Sequence, residues 1–216
     1  MTAASLSIDV VSDVVCPWCY LGKRRLDHAI EMLPGFDVTV RWKPFRLDPT
    51  IPPEGIAREA YLTGKFGSVE AVRPAHDQLT DLGRIEGIDY HFDRITRSPD
   101  TTDAHRVIRW AAAANAQSHI VERLFMAYFT EGRDIGDPAV LAEAADEVGL
   151  DATLIVEQLD SDMDRATIAA EIDNAYEIGV TGVPCFVVDG RYAIMGAQET
   201  ETLARALVDI QAERAA

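Results

Sequence analysis

The chain has 216 residues, of which 48% are hydrophobic and 26% are charged, so it is long enough to bury a substantial core. Its formal net charge of −16 repels nucleic acid and anionic lipid, so neither is an expected partner. The sequence has no run of about 18 apolar residues and no basic leader before its first strand. We therefore expect no membrane segment and a cytoplasmic location.

The first fifty residues predict a strand, a helix and a second strand. The strands are indicated by alternating apolar and polar residues, and the helix by apolar residues at helical spacing that end before Pro34-Gly35. The predicted ranges are 5–11, 17–33 and 36–47. Cys16 and Cys19 stand in the sequence "CPWC" at the start of this helix.

Helical patterns dominate the middle of the chain, with predicted helices at 68–83, 101–114, 118–132 and 138–150. Pro74 must kink or break the first of them, whereas Asp137 is a suitable N-cap for the last.

Strands return only near the end of the chain. A helix over 163–179 precedes a hairpin over 183–196, in which Asp189-Gly190 is the residue pair that a tight turn prefers. A last helix is predicted over 198–213.

The paired cysteines allow three interpretations: half of a zinc site, a redox pair, or two buried core residues. A structural zinc site needs four ligands, but no second C-x-x-C exists, and Cys185 and the histidines show no ligand spacing. We therefore predict no metal site. A helix start favours the redox pair, because unpaired N–H groups and a positive partial charge stabilise a thiolate there.

Several stretches resemble the DsbA family of thioredoxin-fold oxidoreductases, and within it the cytoplasmic FrnE-like branch. They are "DVVCPWCYLGKRRL" (13–26), "AHRVIRWA" (104–111), "LFMAYFTEGRDIGD" (124–137) and "GVPCFVVDGRYAIMGAQ" (182–198). The resemblance implies an α/β, thioredoxin-like fold with an all-helical domain inserted after the second strand. The implied division is a thioredoxin-like domain over 1–50 and 165–216, with the helical domain over 51–164.

The resemblance also implies roles for the site residues. An exposed Cys16 attacks a disulfide, and Cys19, one turn further along, resolves the product. Pro17, Trp18, Val183 and Pro184 are expected to contact the substrate. The peptide bond before Pro184 is expected to be cis.

Other residues carry weaker expectations. Cys185 directly follows Pro184 and is interpreted as a buried spectator, with a redox-active third cysteine as the alternative. Asp9 and Asp13 are candidates for a buried acid beneath the pair. Lys23, in a "KRR" stretch interpreted as mostly solvated, adds a little positive potential at Cys16.

His105 carries two interpretations, a packed helix histidine or a ligand of glutathione. Related kappa-class glutathione transferases and 2-hydroxychromene-2-carboxylate isomerases tend to carry an asparagine where Asp100 stands, which weakens a glutathione site here. His105 is therefore expected to be packed.

The predicted function is thiol–disulfide exchange on protein or small-molecule thiols and disulfides. No metal or organic cofactor is implied, since the disulfide carries the electrons, although glutathione fits as a co-substrate, and a homodimer is compatible with the resemblance. One alternative is a glutathione-dependent isomerase or transferase, but such enzymes typically have serine at the position of Cys16. Another is a chaperone-like protein that binds in a groove between domains without catalysis.

Overall fold

A computed structural model describes residues 4–215. Its elements in chain order are β1 (Ala4–Ser12), α1 (Pro17–Glu31), β2 (Phe36–Pro44), β3 (Ile56–Ala57), α2 (Arg58–Phe66), α3 (Arg73–Ile85), β4 (Arg97–Ser98), α4 (Thr102–Trp110), α5 (Gln117–Phe129), α6 (Pro138–Glu147), α7 (Ala152–Leu159), α8 (Arg165–Glu177), β5 (Cys185–Val188), β6 (Tyr192–Met195) and α9 (Thr200–Ala215). The ends of the predicted 1–50 and 165–216 segments, residues 1–3 and 216, lie outside the described range.

The central sheet has the strand order β2-β1-β5-β6. Strands β1 and β2 are parallel and joined through α1, whereas β5 pairs with β1 and β6 in antiparallel fashion. The predicted turn between β5 and β6 is confirmed, with Asp189 and Gly190 at φ values of 50° and 67°. This arrangement confirms the α/β, thioredoxin-like fold.

The segment between β2 and α8 is mainly helical, as predicted, and the sequence patterns locate most of its helices. Pro74 lies in the first turn of α3, directly after a 3-10 turn over Glu70–Val72, so it separates two helical pieces. The side chain of Asp137 accepts a hydrogen bond from the Ala139 N–H at 2.9 Å and caps α6 as expected. Helices α2 and α7 and the paired strands β3 and β4 are additions that the patterns did not predict.

One hydrophobic core runs from the sheet through α1 into the helical segment. Beneath the start of α1 it contains an aromatic cluster, in which the Tyr20 ring stacks on Phe125 at 4.9 Å and meets Tyr90 edge-on at 5.8 Å. A second, smaller core lies on the opposite face of the sheet, because Val10 and Val11 alternate along β1 and enter different cores. The division into the segments 1–50, 51–164 and 165–216 stays a prediction.

Within residues 4–215, no helix combines the length and the apolar character that crossing a membrane requires.

Candidate active site

Cys16 occupies the N-cap position of α1. Its backbone is extended, with φ −92° and ψ 112°, and Pro17 fills the first helical position, where a missing N–H costs nothing. The Cys16 carbonyl accepts hydrogen bonds from the N–H groups of Cys19 at 3.0 Å and Tyr20 at 3.3 Å. The first turn carries no acidic residue. The Cys16 sulfur therefore lies at the positive end of the helix dipole, where a thiolate is stabilised.

Cys16 is less exposed than the sequence suggested. The expectation of an exposed sulfur at the turn is wrong, because only 3% of the Cys16 surface is accessible. The reason is the loop before β5, whose Val183 carbonyl accepts a hydrogen bond from the Cys16 thiol at 3.8 Å.

Cys19 lies one turn further into the helix and is 1% exposed. Burial raises the pKa of its thiol well above the ordinary value, because it removes water from the thiolate, and the neighbouring Cys16 raises it further. Hydrogen bonding to the Ser12 side chain and the Asp13 backbone acts in the opposite direction. At neutral pH, Cys19 is therefore a thiol, and the two sulfurs of the pair are chemically distinct.

The loop that covers Cys16 contains Pro184. The Val183–Pro184 peptide bond is cis, as predicted. The ring of Pro184 packs against α1 at Gly22, where an added Cβ would lie only 2.8 Å from Pro184 Cγ. Trp18 is half-buried against the main core. The structure thus brings Cys16, Val183 and Pro184 together at the helix start.

Tyr90 is a component of the site that sequence reasoning missed. Its hydroxyl donates a hydrogen bond to the Pro17 carbonyl at 2.7 Å, so it supports the first turn of α1 from the helical segment. Burial raises the pKa of Tyr90 above its ordinary value, which keeps the hydroxyl protonated and able to donate. Tyr90 lies in an irregular stretch far along the chain, and no local pattern distinguishes it.

Of the two candidate buried acids, Asp13 is the one beneath the helix start, because Asp9 forms an ion pair with Arg41 at 2.6 Å near the surface. Asp13 is 1% exposed, its Oδ2 accepts a hydrogen bond from the Leu47 N–H at 2.7 Å, and its carbonyl accepts one from the Cys16 N–H. Its Oδ1 has no hydrogen-bond partner among residues 4–215.

His105 is a buried helix residue, 4% exposed, close to Asp13. Its Nε2 donates a hydrogen bond to the Phe45 carbonyl at 2.9 Å and lies 3.5 Å from Asp13 Oδ1. Asp100 is also fully engaged, since it pairs with Arg46 at 2.7 Å and accepts a hydrogen bond from the Thr102 N–H at the start of α4. These contacts favour the packed-histidine interpretation of His105.

The interpretation of the "KRR" stretch as mostly solvated is wrong. Lys23 and Arg25 are 5% and 3% exposed, because α1 packs against α3, α5 and α9. The Lys23 ammonium lies 2.6 Å from Asp27 Oδ2 and 2.9 Å from Glu122 Oε2. These two carboxylates offset the positive charge that Lys23 was expected to add near Cys16.

No group of three or more histidine, cysteine or acidic side chains suited to a metal ion occurs in the part of the chain that the structure describes.

Cys185 belongs to the second core, with Val11 and Phe45, whereas Cys16 and Cys19 belong to the main core. Burial raises the pKa of its thiol, which keeps it protonated. We therefore expect Cys185→Ala to leave turnover and reduction potential nearly unchanged. A shift of about 30 mV or more, equivalent to about 1.4 kcal/mol for a two-electron couple, would contradict the spectator role.

A second prediction concerns the pH dependence of Cys19. When the reduced protein reacts with Ellman's reagent, attack by Cys16 releases one coloured thiolate and attack by Cys19 then releases the second. Burial raises the pKa of Cys19 and persists in the mixed disulfide, so the Cys19 thiolate fraction should grow about tenfold per pH unit between about pH 6 and pH 8.

The rate at which the second coloured thiolate is released should rise in proportion to the Cys19 thiolate fraction. Cys19→Ser, the control, should show the first phase alone. A second phase in the native protein that does not accelerate with pH would contradict the assignment of Cys19.

The fold and the paired cysteines at a helix start define a class, the thioredoxin-fold oxidoreductases and isomerases. The chain belongs to the DSBA-like thioredoxin domain family, whose sequence model matches residues 7–208. The predicted DsbA resemblance is thereby confirmed, and the FrnE-like branch within it stays a prediction.

Solved structures agree with this family. A probable DsbA oxidoreductase from Streptomyces coelicolor is 31% identical and superposes with a TM-score of 0.86 over 94% of this chain and 89% of that one. A 2-hydroxychromene-2-carboxylate isomerase is 18% identical, with a TM-score of 0.74 over 97% and 98%. Cytosolic disulfide reductase DsbM from Pseudomonas aeruginosa, solved with GSH, is 20% identical, with a TM-score of 0.67 over 96% and 99%. The last two show the fold alone.

Proposed function

We propose that this protein catalyses thiol–disulfide exchange on protein or small-molecule substrates, with Cys16 as the nucleophile and Cys19 as the resolving cysteine. The observation that carries the proposal is the difference between the two sulfurs. Cys16 lies at the helix start under the Val183 carbonyl, whereas the pKa of the buried Cys19 thiol is raised well above the ordinary value. This difference supports Cys16 as the sulfur that attacks first and Cys19 as a thiol at that stage.

The reaction balances without a further cofactor. The Cys16 thiolate attacks one sulfur of a substrate disulfide, which forms a mixed disulfide and releases one substrate thiolate that takes up a proton. Cys19 then loses its proton and attacks the Cys16 sulfur, which releases the second substrate thiol and leaves a Cys16–Cys19 disulfide. Two electrons pass from the protein to the substrate, and the reverse sequence oxidises a dithiol.

Glutathione is the co-substrate that we propose for recycling the pair, in a cytoplasmic setting. The presence of GSH in the structure of the cytosolic reductase DsbM supports this choice. The test is reduction of insulin disulfides with glutathione as the electron donor. We expect turnover by the native protein and none by the Cys16→Ser, Cys19→Ser double variant. Equal activity of the two proteins would overturn the proposal.

A glutathione-dependent isomerase or transferase is the second candidate, because an isomerase shares the fold. Such an enzyme binds glutathione noncovalently, so calorimetry on the double-serine variant separates the two functions. We expect glutathione to bind weakly, because both carboxylate oxygens of Asp100 already have partners, Arg46 and the N–H group at the start of α4. Low-micromolar affinity would favour the isomerase or transferase.

A chaperone-like binder is a further alternative. A cavity of about 910 Å³ between β2 and the helices α4, α5, α7 and α8 offers the space that such a binder would use. Binding there would not need the sulfurs, so the double-serine variant would retain the whole activity of a binder.

A further inference from the structure

Arg25 is a buried cation on α1 that reaches the segment after β6. Its side chain is 4% exposed, and its Nε donates a hydrogen bond to Glu86 Oε1 at 3.0 Å. Its Nη1 donates to the Ala197 carbonyl at 2.8 Å, and its Nη2 lies 3.0 Å from Glu199 Oε2. The guanidinium thus holds a main-chain carbonyl of this segment while the buried Glu86 balances its charge.

The segment that Arg25 holds is bonded in turn to the loop over Cys16. The Gly196 N–H donates a hydrogen bond to the Pro184 carbonyl at 2.8 Å. Gly196 has a φ of 77°, in the left-handed region that favours glycine, and precedes Ala197 directly. A short chain of contacts therefore runs from Arg25 through Ala197 and Gly196 to Pro184.

The same helix also touches Pro184 directly. Gly22 lies three residues before Arg25, on the same side of α1, and an added Cβ at Gly22 would meet the Pro184 ring at 2.8 Å. Helix α1 therefore carries Cys16 at its start, contacts Pro184 directly at Gly22, and is linked to Pro184 indirectly through Arg25. The Val183 carbonyl, next to Pro184, lies 3.8 Å from the Cys16 sulfur.

We propose that Arg25 is a positioning residue for disulfide exchange, which holds the Val183–Pro184 loop at the separation from Cys16 that a substrate requires. This proposal rests on the proposed function. Without the Arg25 contact to Ala197, the 196–199 segment loses its anchor on α1, and the loop gains freedom to move away from Cys16. Substrate binding then has to order the loop, so affinity falls more than the rate of the chemical step.

The experiment compares three variants with the native protein. Arg25→Lys keeps a positive charge beside Glu86 but lacks the planar fork that spans Glu86 and Ala197. The double variant Arg25→Met, Glu86→Met replaces the buried ion pair by apolar groups, which preserves folding while it removes the donor to Ala197. Arg24→Met is the matched control, because Arg24 precedes Arg25 on α1 but pairs with Glu122 at 2.6 Å instead.

Two readouts decide the outcome. We expect the Gly196 amide to exchange with deuterium about tenfold faster in both Arg25 variants. We also expect KM for a disulfide-containing peptide to rise about tenfold, because about this much affinity is lost with one charge-assisted hydrogen bond. The value of kcat should change less than about threefold. Arg24→Met should leave both quantities at native values.

The proposal would be overturned if the double variant kept the native rate of deuterium exchange at Gly196 or the native KM. It would also be overturned if Arg24→Met changed both quantities as much as the Arg25 variants do. If the native protein showed no disulfide-exchange activity, the proposed function would be refuted instead. Deuterium exchange at the Gly196 amide would still report whether Arg25 holds the loop.

Discussion

Replacing Cys16 by serine should abolish disulfide exchange, whereas replacing Cys19 should leave the first attack intact and trap the substrate on Cys16. The reason is the position of each sulfur. Cys16 lies at the helix start, where a thiolate is stabilised, and a hydroxyl at that position cannot replace it as a nucleophile for sulfur. Cys19 is a buried thiol whose raised pKa keeps it protonated while Cys16 makes the first attack.

The measurement is mass spectrometry of each variant after incubation with a peptide disulfide. Cys19→Ser should carry one peptide on Cys16, Cys16→Ser should carry none, and native protein should resolve to an internal disulfide. Cys185→Ala serves as the control that behaves like native protein. Peptide captured by Cys16→Ser, or full turnover by that variant, would show that the nucleophile is misassigned.

Replacing Arg106 by methionine should lower the free energy of unfolding by about 3–5 kcal/mol, the cost of breaking a buried charged network. Arg106 is fully buried and forms an ion pair with Asp103 at 2.8 Å. Its guanidinium also donates to four main-chain carbonyls at the end of α7 and in the turn before α8, those of Gln158, Leu159, Ser161 and Met163. Methionine fills the space but donates no hydrogen bond, so all four carbonyls lose the guanidinium as a donor, although Asp103 keeps its ion pair with Arg165 at 3.0 Å.

Urea denaturation of both proteins tests this expectation. Arg84→Met is the matched control, since Arg84 pairs with Asp81 on the surface of α3 with 73% of its side chain exposed. Exposed pairs contribute about 0–1 kcal/mol, so the control should unfold near the native midpoint. A loss below about 1 kcal/mol in Arg106→Met would mean that this network does not hold the α7–α8 turn.

The sequence predicted those parts of the site that short-range patterns specify. "CPWC" after an alternating strand places both sulfurs at a helix start, because strand, turn and first helical residues are all local. The strand, the helix start and the hairpin at Asp189-Gly190 each depend on a few neighbouring residues, so one sequence is enough to locate them. The roles of Val183 and Pro184 came instead from the resemblance to the DsbA family.

What the sequence left open depends on packing between distant segments. Tyr90 reaches Pro17 only because the helical segment folds onto α1, and no local pattern indicates that contact. Lys23 and Arg25 looked solvated because charged residues usually are, yet α1 is covered by other helices and both cations find carboxylate partners. The occlusion of Cys16 arises in the same way, from a loop more than a hundred residues away in the chain.

The central claim is that Cys16 and Cys19 form one reversible redox couple, and the most direct test is equilibration of the protein in glutathione buffers of graded potential. The reaction is then quenched, the protein is denatured so that buried thiols also react, the thiols are alkylated, and the protein is mapped by mass spectrometry. We predict a single two-electron transition between about −270 and −120 mV, with a Cys16–Cys19 disulfide in the oxidised state and Cys185 alkylated throughout. A glutathione adduct without an internal disulfide, or a disulfide that includes Cys185, would contradict the account.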